Sequence, residues 1–353
     1  MIGAGRAKFG PGFETTPAKN NLLGRYNDEL WPHQWYIHNS PTSQLAKWDH
    51  GITKVWEMGF TGAGTTVAIL DDGVEWRHTD LMANYDHNAS FDVNDNDFDP
   101  SPRYDQKDSN AHGTRCAGEI AMAPHNMKCG VGVAFNARIG GIRCLDGDLS
   151  DLSEARALSF KNDYIDIYSS SWGPSDDGKT VDGPKVLAAE ALERGTTFGR
   201  RGRGVLYVWA SGNGGSRGDN CNCDGYVSSI YTISIGSVSE SGQFPWYGEK
   251  CASTLAVAYS SGAYQDRKIP TTDIHNACTM EHSGTSAAAP IASGILALVL
   301  EANPNLSWRD VQHLIVCTAE FGPLAENRGW KRNAAGFLYN SQFGFGLLVA
   351  DAM

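Results

Sequence analysis

The feature that most restricts the fold of this chain is a repeated switch between strand-like and helix-like segments. Runs rich in β-branched and apolar residues occur at 66–70, 137–142, 165–169, 205–210 and 231–235, and those at 66–70 and 205–210 are apolar at consecutive positions. A strand of that kind is covered on both faces. Segments of helical length at 152–160, 184–194, 291–301 and 307–317 supply the cover. Strands that alternate with helices are joined by crossovers, and crossovers make neighbouring strands parallel. The expectation is an α/β fold, a parallel β-sheet flanked by α-helices on both faces. A length of 353 residues would allow two domains, but no linker or composition break divides the chain. Residues 25–353 therefore read as one domain, and 1–24, Gly-rich and polar at its start, as a poorly ordered N-terminal extension.

Three short stretches carry groups that fit one kind of chemistry. Asp71 follows the run 66–70 and would sit at the carboxyl end of a central strand, where α/β folds gather their functional groups. His112, followed by Gly113 and Thr114, opens a helix-compatible run to 122. Ser286 precedes Ala287, Ala288, Ala289 and Pro290 and would lie at the positive end of a long buried helix, with the proline tolerated in its early turns. A carboxylate that orients an imidazole, which in turn takes a proton from a serine, makes a nucleophile for acyl transfer. The order Asp, His, Ser along the chain is that of the subtilisin arrangement. After the run 205–210, Gly212, Asn213, Gly214 and Gly215 form a turn that would bring the Asn213 amide to a reacting carbonyl, the place of an oxyanion donor.

Charge points to the kind of substrate. The chain has 40 acidic and 29 basic residues and a formal charge of −11, which disfavours nucleic acid as a partner and suits a cationic one. Asp72 adjoins Asp71, Asp148, Asp151 and Glu154 share one loop and helix start, and Asp176, Asp177, Asp182 and Asp224 follow in glycine-rich turns. Carboxylates converging on one cleft attract Lys and Arg and reject neutral side chains.

These stretches, with Ser171-Trp172-Gly173-Pro174, the segment 176–183 and Cys221-Asn222-Cys223-Asp224-Gly225-Tyr226, resemble the kexin-like branch of the subtilases, the proprotein convertases, on its neuroendocrine and furin side. The resemblance runs from Gly24 to Gly346 and implies a subtilisin-like fold and cleavage of secretory proproteins and prohormones after paired or multibasic Lys/Arg sites. It implies that Asp176 and Asp224 line the pocket for the residue before the cut, that Asp72 contacts the next one upstream, and that Glu154, Asp182 and Tyr226 hold an arginine further upstream. Ser171, Asp148 and Asp151 are further candidates for this cleft. One departure is Ser109, which stands three positions before His112 where convertases usually carry an acid; selectivity two residues before the cut is expected to be looser. Alternatives left open are a subtilase of broad specificity, an inactive domain that binds basic peptides, and a calcium-buffering protein.

Calcium is the expected cofactor. Asp92, Asn94, Asp95, Asn96, Asp97 and Asp99 concentrate hard oxygen ligands in one stretch that lacks the glycine and closing Glu of an EF-hand. The resemblance implies one calcium on Asp28, Asp80 and Asn126 with carbonyls of Ala123, Lys128 and Gly130, a second on Asp92, Asp97 and Asp99, and a third on Asp176, Asp219 and Glu249. Of the eight cysteines, whose connectivity spacing alone leaves open, it pairs Cys129 with Cys278 and Cys221 with Cys251, and leaves Cys116 a buried thiol near His112.

Two bridges imply an oxidising compartment, here the lumen of the secretory pathway. The sequons at Asn88 and Asn305 agree. The remaining expectations are a monomer, a missing inhibitory propeptide and β-rich P domain, and no stretch able to span a membrane. The basic run Arg200, Arg201, Gly202, Arg203 reads as a solvated loop, with self-cleavage the alternative.

Overall fold

The computed structural model describes residues 25–38 and 49–353; the expectation for residues 1–24 lies outside them. After helix α1 (Ile52–Glu57), the strands β1 (Thr66–Asp71) and β2 (Phe91–Asp92) are followed by α2 (His112–Ala121), β3 (Arg138–Arg143), α3 (Asp151–Ser159) and β4 (Ile167–Ser170). Helix α4 (Val186–Gly202) leads to β5 (Leu206–Ala210), β6 (Thr232–Val238) and β7 (Ala256–Tyr259). These seven strands form one sheet in the order β2-β3-β1-β4-β5-β6-β7, every neighbouring pair parallel. The order reverses around β1, so the carboxyl ends of β1, β4 and β5 border the crevice in which such sheets bind ligands.

Both faces are buried, as the consecutive apolar runs require. Val67 and Ile69 of β1, with Leu206 and Val208 of β5, enter one core, and Ala68, Leu70, Tyr207 and Trp209 enter the other. The first core is capped by α2 and by α5 (Thr285–Ala302); α3 and α4 cover the second. Before α5 comes an antiparallel hairpin, β8 (Ile269–Asp273) and β9 (Ala277–His282), and after it α6 (Trp308–Thr318) and the small pair β10 (Lys331–Arg332) and β11 (Leu338–Tyr339). Ser307 and Asp310 close the expected capping box on α6.

Two expectations change. Helix α5 is long and apolar enough to cross a membrane by length and composition, yet 83% of that window is buried in the core. The run at Arg200 is not simply solvated: Arg200 is buried with φ of 48°. Its guanidinium donates to the carbonyls of Gly204 (3.1 Å), Leu306 (2.9 Å) and Pro304 (3.3 Å) and pairs with Asp166 at 3.1 Å. These bonds pin the end of α4 to the entry of α6.

Candidate active site

Asp71 is the last residue of β1 and His112 the first of α2. Both Asp71 carboxylate oxygens lie against His112 Nδ1, at 2.9 and 2.8 Å. The close approach of helix to strand depends on Gly113, where a Cβ would stand 2.3 Å from the Gly73 carbonyl and 2.8 Å from Asp71 Cβ. Asp71 is buried, whereas the His112 side chain keeps 34% of its surface exposed. Burial alone would depress the imidazole, but the Asp71 charge, helped by Cys116, holds its pKa well above the ordinary value.

Ser286 is the second residue of α5. Pro290, four residues on, has no N–H to give the Ser286 carbonyl, so that acceptor is free for others. Ser171 Oγ donates to it at 3.0 Å and Cys116 Sγ at 3.7 Å. The Ser286 hydroxyl points to the Ser171 carbonyl at 3.4 Å, and among the described residues the bond to His112 is open. Such bonds are often long in free enzymes and close around substrate.

Asn213 is oriented by α5. The Thr285 N–H can only donate, so the atom facing it at 2.8 Å is Asn213 Oδ1, which also accepts from Thr285 Oγ1 at 3.1 Å. The Nδ2 amide is left as the donor with no partner among the described residues. Gly284, at φ +83°, has no room for a side chain, since a Cβ would meet Asn213 Oδ1 at 2.9 Å.

Two further residues stand behind His112 that sequence reasoning did not find, His282 and Glu119. His282, at the end of β9, is bonded through Nδ1 to Glu119 Oε1 at 2.9 Å, and its ring meets the His112 ring edge-on at 5.5 Å. Burial raises the Glu119 carboxyl and lowers the His282 imidazole, so they form a neutral hydrogen bond. Cys116 is the expected buried thiol, pushed up to about 12 by burial, and is therefore unreactive. The only early sign of the Glu119 contact is that Glu119 follows His112 at helical spacing.

The acidic residues divide into two groups. Asp72 is spent on α2, accepting the N–H of His112 at 3.1 Å and of Gly113 at 2.8 Å. Burial and the Asp71 charge push its carboxyl up to about 7. Asp151 is spent on α4, accepting from Leu187 at 3.1 Å and Ala188 at 2.9 Å. Both carboxylates thus anchor helix starts, where unpaired N–H groups draw the nearest carboxylate. Asp148 is exposed on its loop.

The second group lies around an aromatic wall in which Tyr226 stacks on Trp209 at 4.8 Å and meets Trp172 edge-on at 5.2 Å. Asp224 packs over Gly173, where a Cβ would sit 2.8 Å from its Oδ2. Burial pushes Asp224 up to about 6 and Glu154, beside Tyr226, up to about 7. Asp182 pairs with Asp224 through a backbone bridge. Asp176 Oδ2 accepts the Asn213 N–H at 3.0 Å, tying this group to the turn that carries Asn213.

Two of the three expected calcium sets fit the ion. Asp176, Asp219 and Glu249 bring their oxygens within 4.8 Å of one another, and burial pushes Glu249 up to about 8. Asp28 and Asp80 are buried and gather around Asn126, which donates from Nδ2 to Asp80 at 2.7 Å and from its backbone to Asp28 at 3.0 Å. Asp80 is pushed up to about 7 by burial. Buried or half-buried carboxylates gathered without a Lys or Arg ion pair among the described residues suit a hard cation. The carbonyls of Ala123, Lys128 and Gly130 belong to the same loop, which takes φ of 64°, 62° and 26° at His125, Met127 and Cys129. The second set, on Asp92, Asp97 and Asp99, does not fit. Asp92 pairs with Arg143 at 2.5 Å, Asp99 accepts from Trp76 at 2.8 Å, and Asp97 accepts the Asp99 N–H at 2.9 Å. A guanidinium already supplies the positive charge there.

Cys129 is bonded to Cys278 and Cys221 to Cys251. Cys116 and Cys144 are buried thiols, Cys223 is half-buried and Cys317 exposed.

Comparison with known proteins agrees with this architecture. The Subtilase family model matches residues 62–346. The chain is 57% identical over 328 residues to proprotein convertase subtilisin/kexin type 5 of Homo sapiens, covering 93% of this chain and 18% of that protein. It is 54% identical to the type 6 convertase of Rattus norvegicus, covering 35% of it, and 53% to furin-like protease 1, isoform 1-CRR, of Drosophila melanogaster, covering 29%. The chain thus spans about a third or less of the length of these relatives. A crystal structure of the serine protease of Aeromonas sobria superposes with a TM-score of 0.81 at 23% identity, over 93% of this chain and 67% of that one. With the family model covering most of its length and Asp71 at the carboxyl end of a central strand of the parallel sheet, the chain belongs to the subtilase family.

Proposed function

We propose that this chain is a calcium-dependent serine endopeptidase that cleaves secretory proproteins and prohormones after paired or multibasic Lys/Arg sites. The observations that carry the reading are the contact of both Asp71 oxygens with His112 Nδ1, the Cys116 thiol that touches both His112 and the Ser286 carbonyl, and the Asn213 amide held by the first turn of the Ser286 helix. In this reading His112 Nε2 takes the Ser286 proton as Oγ attacks the scissile carbonyl, and Asp71 holds the proton on Nδ1 and stabilises the imidazolium. The Asn213 Nδ2 amide receives the developing oxyanion. His112 then returns the proton to the leaving amine, and water repeats the cycle on the acyl-enzyme. Asp176 and Asp224 take the basic residue before the cut, and Glu154, Asp182 and Tyr226 take an upstream arginine; carboxylates gathered there disfavour a neutral occupant that would leave them unpaired. The disulfides and the exposed sequon asparagines Asn88 and Asn305 support a lumenal site of action.

The substrate class is tested by hydrolysis of Arg-Val-Lys-Arg against Ala-Ala-Pro-Phe fluorogenic peptides. Cutting of the first alone is expected; cutting after Phe at a similar rate would refute the basic specificity. Asn213→Ala is expected to lower kcat by about 100–1000-fold with KM nearly unchanged, the range measured for an oxyanion donor in subtilisin. Steady-state kinetics on the basic peptide decide this, and an unchanged kcat would remove Asn213 from the role.

Bound calcium would neutralise the carboxylates of Asp176, Asp219 and Glu249. Two of them hold the oxyanion turn, since Asp176 accepts the Asn213 N–H at 3.0 Å and Glu249 accepts the Gly214 N–H at 2.8 Å. Calcium removal by EGTA is therefore expected to reduce kcat, more severely at pH 8 than at pH 6. Glu249 has a folded pKa of about 8 without the ion, so acid protonates it and relieves the repulsion that alkali restores. Activity in EGTA equal to that in calcium at both pH values would refute the coupling.

A further inference from the structure

The run Arg200, Arg201, Gly202, Arg203 has the composition of the substrates proposed above, a basic residue, Arg203, with an arginine three positions upstream, Arg200. The folded chain does not present it as one. A peptide enters a binding cleft as an extended strand, whereas Arg200 and Arg201 have φ of 48° and 57°, and Gly202 and Gly204 have 86° and 81°. The Arg203 carbonyl, the one a nucleophile would attack, accepts the Trp308 N–H at 2.9 Å, and the Gly204 N–H donates to the Gly199 carbonyl at 2.8 Å. The Arg200 guanidinium is buried in its bonds to Gly204, Leu306, Pro304 and Asp166. Within the run only Arg201 and Gly202 are exposed.

These restraints are local. Left-handed backbone at two non-glycine residues runs against their own preference and persists only while the surroundings hold it. The Arg200 clasp is that hold, and loosening it lets the run extend. The run stands at the amino end of β5, whereas Asn213 follows the carboxyl end of that strand. The 5 residues of β5 set them roughly 17 Å apart, so the run cannot reach the site of its own copy while β5 is in place.

We infer that the bond between Arg203 and Gly204 is a latent cleavage site for the chain's own activity, exposed when the Arg200 clasp opens and cut by a second, intact copy. The inference rests on the substrate reading above: Arg203 takes the place beside Asp176 and Asp224, and Arg200 that beside Glu154, Asp182 and Tyr226. Ser286 of the intact copy takes the Arg203 acyl group while Gly204 leaves as an amine with the proton from His112, and water then releases the Arg203 carboxylate. The cut parts Asp71 and His112 from Asn213 and Ser286, and so ends the activity of the copy that is cut. The Cys129–Cys278 bridge keeps the two pieces joined. Loosened copies are thereby inactivated by their intact neighbours.

The test adds a trace of intact protein to Ser286→Ala protein, which cannot cut, and follows the latter by gel and mass spectrometry. Ser286→Ala alone is expected to persist. Adding Asp166→Asn keeps an acceptor for the Thr66 N–H and removes the charge that faces Arg200. Cutting is then expected to be about tenfold faster, because its rate follows the population of the open form. The new fragment begins at Gly204 and separates on the gel only after reduction. Arg203→Gln in the same double variant is expected to abolish the cut. A double variant cut no faster than Ser286→Ala, or cut only at other bonds, overturns the inference. A synthetic peptide of residues 198–207 removes folding from the question and should be cut after Arg203. Its survival while Arg-Val-Lys-Arg is cut overturns the latent site and leaves the basic-site reading intact. Failure to cut either peptide overturns that reading and the site with it.

Discussion

Ser286→Ala is expected to lower kcat on a basic peptide by about a million-fold, with the folded chain preserved. The loss is large because no neighbouring group can replace the nucleophile: Cys116, the closest thiol, is buried and held neutral by a pKa of about 12. Stability should change by less than about 0.5 kcal/mol, since the hydroxyl makes one hydrogen bond of 3.4 Å, to the Ser171 carbonyl. The double variant with His112→Ala should be no slower than either alone, because the two act as one unit. Single-turnover kinetics on the purified protein check this; additive losses would mean that His112 works independently of Ser286.

Asp71→Asn is expected to reduce kcat by about 10⁴-fold and to move the acid limb of kcat/KM to lower pH. An asparagine amide facing Nδ1 can donate, which would put the imidazole proton on Nε2, the nitrogen that must receive the Ser286 proton. The pH effect follows from the charge. His112 is useful as a base only when Nε2 is unprotonated, so activity falls as pH drops through its pKa. The Asp71 carboxylate holds that pKa well above the ordinary value, and removing it lets burial draw the value down. The wild-type acid limb should therefore lie above pH 6.5, the ordinary histidine value, and that of Asp71→Asn below it. A limb that stays in place would assign it to a group whose pKa does not depend on the Asp71 charge.

Much of this site was legible because its parts are local. Asp71 is the last residue of an apolar strand, His112 opens a helix, and Ser286 stands ahead of a run of alanines, so each position follows from a nearby pattern. What was not legible depends on contacts made between distant segments. That Asp72 and Asp151 hold helix starts cannot be read from a list of acids, because it takes the approach of the α2 and α4 N-termini to engage them. Arg143, which neutralises Asp92, lies 51 residues away in the chain. The β8–β9 hairpin was missed because its turn takes left-handed backbone at His275 (φ 62°) and Asn276 (φ 54°), where glycine would have marked it. Strand β2 is two residues long and carries no periodicity to read.

The role of Pro290 is intermediate. Its place four residues after Ser286 was visible, but the consequence appears only with Ser171 and Cys116 seated on the freed carbonyl. The nucleophile's backbone is thereby tied to β4 and α2 as well as to its own helix. Thr285 does the same for Asn213, so nucleophile and oxyanion donor are both oriented by the first turn of α5.

The most direct test of the account is to react the protein with a fluorophosphonate in calcium, map the adduct by mass spectrometry, and repeat the reaction with an Arg-Val-Lys-Arg aldehyde or an Ala-Ala-Pro-Phe aldehyde present. The account requires a single adduct on Ser286 that the basic aldehyde blocks and the phenylalanine aldehyde does not. An adduct on another residue, no adduct at all, or equal protection by both aldehydes would contradict it.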